Sequence, residues 1–148
     1  MGKTIPRRAD YRYFLEIPTR WADQDAYGHV NNAVYYMYFD TLVASFLGGL
    51  RVLDAQRDGI GLVVETMCRH HAPAHFPDVL TAGLRVGRIG NTSVRYEIGL
   101  FRQGHDTACA EGHFIHVQVE AETQQRTRPL PEVLRAHLLP LLVESPAG

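Results

Sequence analysis

Asn31-Asn32-Ala33-Val34-Tyr35-Tyr36-Met37-Tyr38-Phe39-Asp40-Thr41-Leu42-Val43-Ala44-Ser45-Phe46-Leu47 is the stretch on which the fold turns. Tyr35, Tyr38, Phe39, Leu42, Val43, Phe46 and Leu47 recur at steps of three and four, the period of one helix face. Asn31 or Asn32 supplies a capping side chain, and Gly48-Gly49 supplies a stop. The pattern predicts one long, strongly apolar helix over residues 31–47.

On both sides of that helix the period changes to two. Tyr11, Tyr13, Leu15 and Ile17 share one parity, which predicts a first strand over residues 12–20. Ile60, Leu62, Val64, Thr66 and Cys68 alternate with residues that are themselves partly apolar, so this second strand is expected to be buried on much of both faces. Leu80, Ala82, Leu84 and Val86 alternate with Thr81, Gly83, Arg85 and Gly87, the pattern of a half-exposed strand. Gly90-Asn91 marks a turn, a fourth strand runs over residues 93–100, and Thr107 opens a fifth that reaches Val119. Arg128-Pro129-Leu130-Pro131 breaks it, and residues 132–142 read as a short C-terminal helix. The expected class is α+β. An antiparallel sheet of about five strands, joined by tight turns, curls around one central helix. The uncovered edges and outer face call for a homo-oligomer, a dimer or tetramer.

At 148 residues the chain is one domain, 1–148, with its core over about 12–119. Lys and Arg number 15 and Asp and Glu 16, a net charge of −1, which argues against a nucleic-acid partner. The start, Met1-Gly2-Lys3-Thr4-Ile5-Pro6, has basic residues nearby but no apolar signal core, and Pro6 stands where myristoylation wants Ser or Thr. The apolar run ending at Leu50 is interrupted by Asp40, Thr41 and Ser45, too short and too polar for a membrane span. Cys68 and Cys109 are isolated and read as reduced thiols, so a cytoplasmic setting is expected.

The densest chemistry lies just before the helix, in Trp21-Ala22-Asp23-Gln24-Asp25-Ala26-Tyr27-Gly28-His29-Val30-Asn31-Asn32. A helix start offers unpaired N–H groups and the positive end of a dipole, suited to a carbonyl oxygen acquiring charge. A carboxylate on a loop folded over that end can attack the carbonyl or activate water. Gly28 lets the loop turn tightly. The same residues also read as plain capping, and His29 as a structural hydrogen-bonding group.

The stretch from Arg20 to Asn32, followed by Tyr35 and Tyr38-Phe39, resembles the 4-hydroxybenzoyl-CoA thioesterase family of the hotdog fold. That family's pattern is an acid, a spacer, an acid, two residues, Gly-His or Gly-Val, then the central helix. His71-Ala72-Pro73-Ala74-His75-Phe76-Pro77-Asp78-Val79-Leu80 is similar to the family's link between its second and third strands, and Arg88-Ile89-Gly90-Asn91-Thr92-Ser93 to the turn that follows. The resemblance implies an acyl-CoA thioesterase with Asp25 as nucleophile or general base. The backbone N–H near Asn32 would polarise the thioester carbonyl, and Gly28, His29 and Val30 would shape the loop. Asp23 aligns with the first acid and is expected to be structural. Where many relatives carry His or Tyr after the Gly-His pair, this chain has Asn31-Asn32, and it looks more like the branch acting on aliphatic acyl groups.

Substrate contacts are expected from Asn31, and from Tyr35, Tyr38 and Phe39 with part of residues 63–67 along the acyl chain. Glu65 is expected to support the site or to pair with Arg69 or Arg85. Arg88, Asn91, Thr92 and Ser93 offer hydroxyls, turn N–H groups and a guanidinium for coenzyme A phosphates, or form an ordinary hairpin turn. No cofactor is expected beyond the coenzyme A of the substrate. His70, His71, His75, His105, His113 and His116 lack metal-ligand spacing, and His113 and His116 lie three apart on a strand, on opposite faces. No nucleophile elbow, P-loop or dinucleotide fingerprint is present. Hydratases of the fold need Asp and His five apart on this loop, whereas Asp23 and Asp25 stand six and four from His29. A non-catalytic acyl-CoA or acyl-carrier-protein binding protein on the same fold is the alternative.

Overall fold

The structure, a computed structural model, describes residues 4–49 and 53–143; the readings of Met1 to Lys3 and of Leu50 lie outside them. Five strands are present: β1 (Tyr13–Pro18), β2 (Ile60–His70), β3 (Val79–Ile89), β4 (Ser93–Phe101) and β5 (Ala110–Val119). They form one antiparallel sheet in the order β1-β3-β4-β5-β2. The helices are α1 (Asn32–Gly48), the short α2 (Ala55–Asp58) and α3 (Glu132–Leu138).

β1 and β2 stand at opposite edges, so the chain between them must cross the whole sheet. α1 lies along the strands: Tyr35, near its start, meets His70 at the end of β2, and Leu47, near its end, lines a cavity with Ile60 at the start of β2. Its 17 residues cover about 25 Å. Tyr35, Tyr38, Phe39, Leu42 and Val43 form its buried stripe, each large side chain contributing ~1.5–3 kcal/mol when fully removed from water. Phe39 meets Phe114 edge-on at 6.0 Å between centroids, and Tyr13 meets Phe46 at 5.4 Å. Gly112 lets the helix approach, since a Cβ there would collide with the Met67 carbonyl and the Phe39 ring. Asn31 is the cap: its Oδ1 accepts the Ala33 N–H at 3.0 Å.

Several expectations are corrected. β2 is not buried on both faces. It is a sheet edge, and Val63 and Val64 are 47% and 61% exposed. Its apolar residues on both parities mimic a central strand without a second neighbour to cover them. β2 also does not pair with β3 through a tight turn. The chain leaves β2 at the start of β5, where the Cys109 carbonyl accepts the N–H groups of His71 and Ala72, and crosses to insert β3 between β1 and β4. β3 in turn is more covered than half-exposed, because Tyr11 lies over the outer face. A Cβ at Gly83 or Gly99 would meet Tyr11 at 2.9 Å or 2.6 Å.

Element ends also move. β1 begins at Tyr13 and β5 only at Ala110. The C-terminal helix stops at Leu138, and a 3-10 turn over Leu139–Leu141 follows, since Pro140 cannot continue the helix. Among the described residues no helix is long and apolar enough to cross a membrane.

Candidate active site

The loop between β1 and α1 is tied down residue by residue. Asp23 is its anchor, only 1% exposed. Its Oδ2 accepts the Arg20 N–H at 2.9 Å and the Tyr38 hydroxyl at 2.7 Å. Its Oδ1 accepts the Arg20 guanidinium. Its backbone carbonyl accepts the Asn31 N–H at 2.9 Å. Burial alone would raise this carboxyl's pKa, but the Tyr38 and Arg20 hydrogen bonds outweigh it and hold it below its usual range. Asp23 thus joins the end of β1 to the start of α1 and has no oxygen left for chemistry.

Asp25 opens the tight turn that follows. Its N–H donates to the His29 carbonyl at 2.8 Å, and its carbonyl accepts from Gly28 at 3.1 Å. Gly28 sits at φ +77°, a conformation that favours glycine. Oδ1 of Asp25 accepts the Tyr27 N–H at 2.9 Å and the His29 N–H at 3.4 Å, while Oδ2 bonds no described residue. The carboxylate is therefore oriented by one oxygen and free at the other. The Val30 N–H donates to the Ala74 carbonyl at 2.7 Å, bringing the segment after β2 against the loop.

A cavity of about 210 Å³ lies at this junction, lined by Asp25, His29, Val30, Asn32, Tyr35, His70, Ala72 and Pro73. Asn32 begins α1, and its backbone N–H has no acceptor among the described residues. A carboxylate with one free oxygen and an unused N–H at a helix start thus share one cavity. That pairing suits addition of water to a carbonyl whose oxygen gains negative charge.

Of the residues expected in the site, Asp25, His29, Asn32 and Tyr35 line the cavity, Gly28 forms its loop and Asn31 caps the helix below it. Tyr38 and Phe39 do not line it. The Tyr38 hydroxyl is bound to Asp23, and Phe39 is 0% exposed inside the core. Glu65 does not reach the cavity and pairs with neither Arg69 nor Arg85. Its Oε2 lies 2.7 Å from His113 Nε2. Cross-strand register decides these partners: Arg69 stands opposite Glu111, and Arg85 opposite Glu97.

Arg88, Asn91, Thr92 and Ser93 lie at the other end of the sheet. Ser93 pairs with Val117, whereas Leu100, at the cavity end, pairs with Ala110; the separation is roughly 23 Å along the strand. The turn is held by the C-terminal segment, through Leu130 N–H to the Asn91 carbonyl and Arg135 to the Gly90 carbonyl, and by β5, whose Gln118 N–H donates to the Thr92 carbonyl.

His70, Ala72 and Pro73 were not expected in the site. They reach it only because the Val30–Ala74 bond joins segments more than forty residues apart in sequence, and no local pattern carries that. Among the described residues no group of three or more His, Cys, Asp or Glu side chains is placed to hold a metal.

An antiparallel sheet laid over one helix, with an acid-bearing loop at that helix's N-terminus, defines a hotdog-fold protein of the thioesterase type. Residues 19–138 match the Thioesterase-like superfamily, and the chain belongs to that family. The chain is similar to the PA5185 protein from Pseudomonas aeruginosa strain PAO1, at 46% identity over 98% of this chain and 100% of that one, with a TM-score of 0.87. It is similar to the PA2801 protein from Pseudomonas aeruginosa at 29% identity, over 83% and 95% of the two chains, with a TM-score of 0.74. Slr0204, a 1,4-dihydroxy-2-naphthoyl-CoA thioesterase from Synechocystis, shares the fold at 20% identity, over 87% and 96%, with a TM-score of 0.77.

Proposed function

We propose that this protein is an acyl-CoA thioesterase in which Asp25 acts as general base. The observation that carries this reading is the shared cavity of Asp25, free at Oδ2, and Asn32, free at its N–H. Water loses a proton to Oδ2 and adds to the acyl carbon, the oxyanion is held at the Asn32 N–H, and the C–S bond then breaks. Family membership supports the reaction class. The test is hydrolysis of acyl-CoA thioesters of graded chain length by the intact protein, followed by thiol release. Turnover of at least one thioester is expected. Tight binding across the series without turnover would favour the non-catalytic acyl-CoA or acyl-carrier-protein binder.

The site is completed by a second copy. β2 is an 11-residue edge strand with exposed valines, an invitation to antiparallel pairing with another β2. Such pairing sets the partner's Ile60 end beside this chain's His70 end, so the far turn of the other copy comes to the Asp25 side. Arg88, Asn91, Thr92 and Ser93 then serve coenzyme A in trans. Sedimentation is expected to give a dimer or larger. Arg88→Ala is expected to raise KM for a CoA thioester about tenfold, the loss of one charge-assisted contact. KM for the same acyl group on N-acetylcysteamine, which lacks the nucleotide, is expected to stay unchanged. Equal effects on both would remove Arg88 from the nucleotide site.

A further inference from the structure

His70 ends β2, opposite Ala110 in the register. It lines the cavity that holds Asp25 and Asn32. Its ring meets the buried Tyr35 ring edge-on, 4.6 Å between centroids at 84°. Neither ring nitrogen bonds a described residue. The other histidines on β2 and β5 differ. His113 is engaged by Glu65, and His116 lies against Tyr96 on the far half of the core. His71, the next residue, is spent on Glu111 at 2.8 Å. The titratable groups sharing the cavity with His70 are Asp25, His29 and Tyr35, and burial holds the Tyr35 hydroxyl's pKa up at about 12. His70 is thus a free imidazole placed by one aromatic contact beside an oriented carboxylate and an unused N–H.

We propose that His70 is the proton donor to the departing thiolate, an assignment that rests on the thioesterase reading above. As the tetrahedral intermediate collapses, the C–S bond breaks and its electron pair goes to sulfur. His70, entering the step as the imidazolium, gives its proton to that sulfur and is left as the neutral imidazole. Asp25, which took a proton from the attacking water, returns it through solvent to His70. One water is consumed, and one carboxylic acid and one thiol are formed. Histidine is the side chain most often placed for such proton transfers. An alkyl thiol titrates at about 8.5, so its thiolate is a fair leaving group unaided. The help needed is smaller than the usual ~10²–10⁴-fold of general acid catalysis.

The experiment compares His70→Gln with the unaltered protein on two thioesters of one acyl group. The first has coenzyme A as leaving group, the second the more acidic thiophenol. On the CoA thioester kcat is expected to fall about 30-fold, a little below the general-acid range. On the S-phenyl thioester it is expected to fall less than about threefold, because that thiolate departs without a proton. Each variant is its own reference, so a general loss of folded protein cancels in the ratio. Equal losses on both substrates, or none on the CoA thioester, would overturn the assignment while leaving the thioesterase reading intact. An unaltered protein that turns over no thioester would overturn both.

Discussion

Asp25→Asn is expected to lower kcat on acyl-CoA substrates about 10³-fold, close to 4 kcal/mol of transition-state stabilisation. The loop is expected to keep its shape. Asparagine retains a side-chain oxygen, so the Tyr27 and His29 N–H groups that now meet Oδ1 keep their acceptor. Gly28 and Val30 are held through backbone bonds that the change does not touch. What is lost is the basic oxygen at Oδ2. The melting temperature should therefore stay within about 2 °C, since surface changes of this kind fall within ±0.5 kcal/mol. A single turnover in ¹⁸O-water tests the base route, which places one ¹⁸O in the first acid molecule released; an unlabelled first acid, with the label left on Asp25, would show the carboxylate to be the nucleophile. Undiminished hydrolysis by Asp25→Asn would remove Asp25 from the mechanism, and with it the site as assigned.

The second large effect is on stability. Asp23→Ala leaves the buried Tyr38 hydroxyl and the Arg20 N–H without their acceptor and opens the junction of β1 with α1. The expected cost is ~3 kcal/mol, the range for breaking a buried charged hydrogen-bond set. For a chain of this size that lowers the melting temperature by roughly 10 °C. Tyr38→Phe removes one of those bonds and should cost ~1–2 kcal/mol. The pH sign follows from the lowered folded-state pKa of Asp23. Its contribution is fully present above the unfolded aspartate value of about 3.9. It is lost as pH falls below that value through the folded one. Asp23→Ala should therefore flatten the acid side of the stability profile below about pH 4. An unchanged melt would show that Asp23 does not anchor the loop.

The two acids of the loop, two residues apart, are sorted by solvent and partners. Asp23 is enclosed and fully bonded, whereas Asp25 keeps one oxygen open to a cavity. Spacing in sequence could not make that distinction. It follows from Arg20 and Tyr38 converging on one carboxylate and missing the other.

Local information was enough for α1 and for the number of strands. The 3–4 spacing from Tyr35 to Val43 has one buried solution, and the asparagine before it has one capping role. The Asp25 loop was legible for the same reason: a helix start and its upstream acid lie within a few residues of each other. Burial was not legible where it depended on strand order. An edge strand with valines on both faces reads like a central one, and β3 reads as half-exposed although Tyr11 lies across its Gly83. The pairing of Glu65 with His113, the distance of the Arg88–Ser93 turn from Asp25, and the entry of His70 into the cavity all depend on the sheet order β1-β3-β4-β5-β2. The sequence by itself determined the helix, the strands and the acid at the helix start, because those follow from contacts between near neighbours. Only the tertiary structure decided that the Tyr38 hydroxyl closes on Asp23 and that His70 joins His29 beside Asp25, because those depend on contacts between segments brought together by folding, such as Val30 to Ala74.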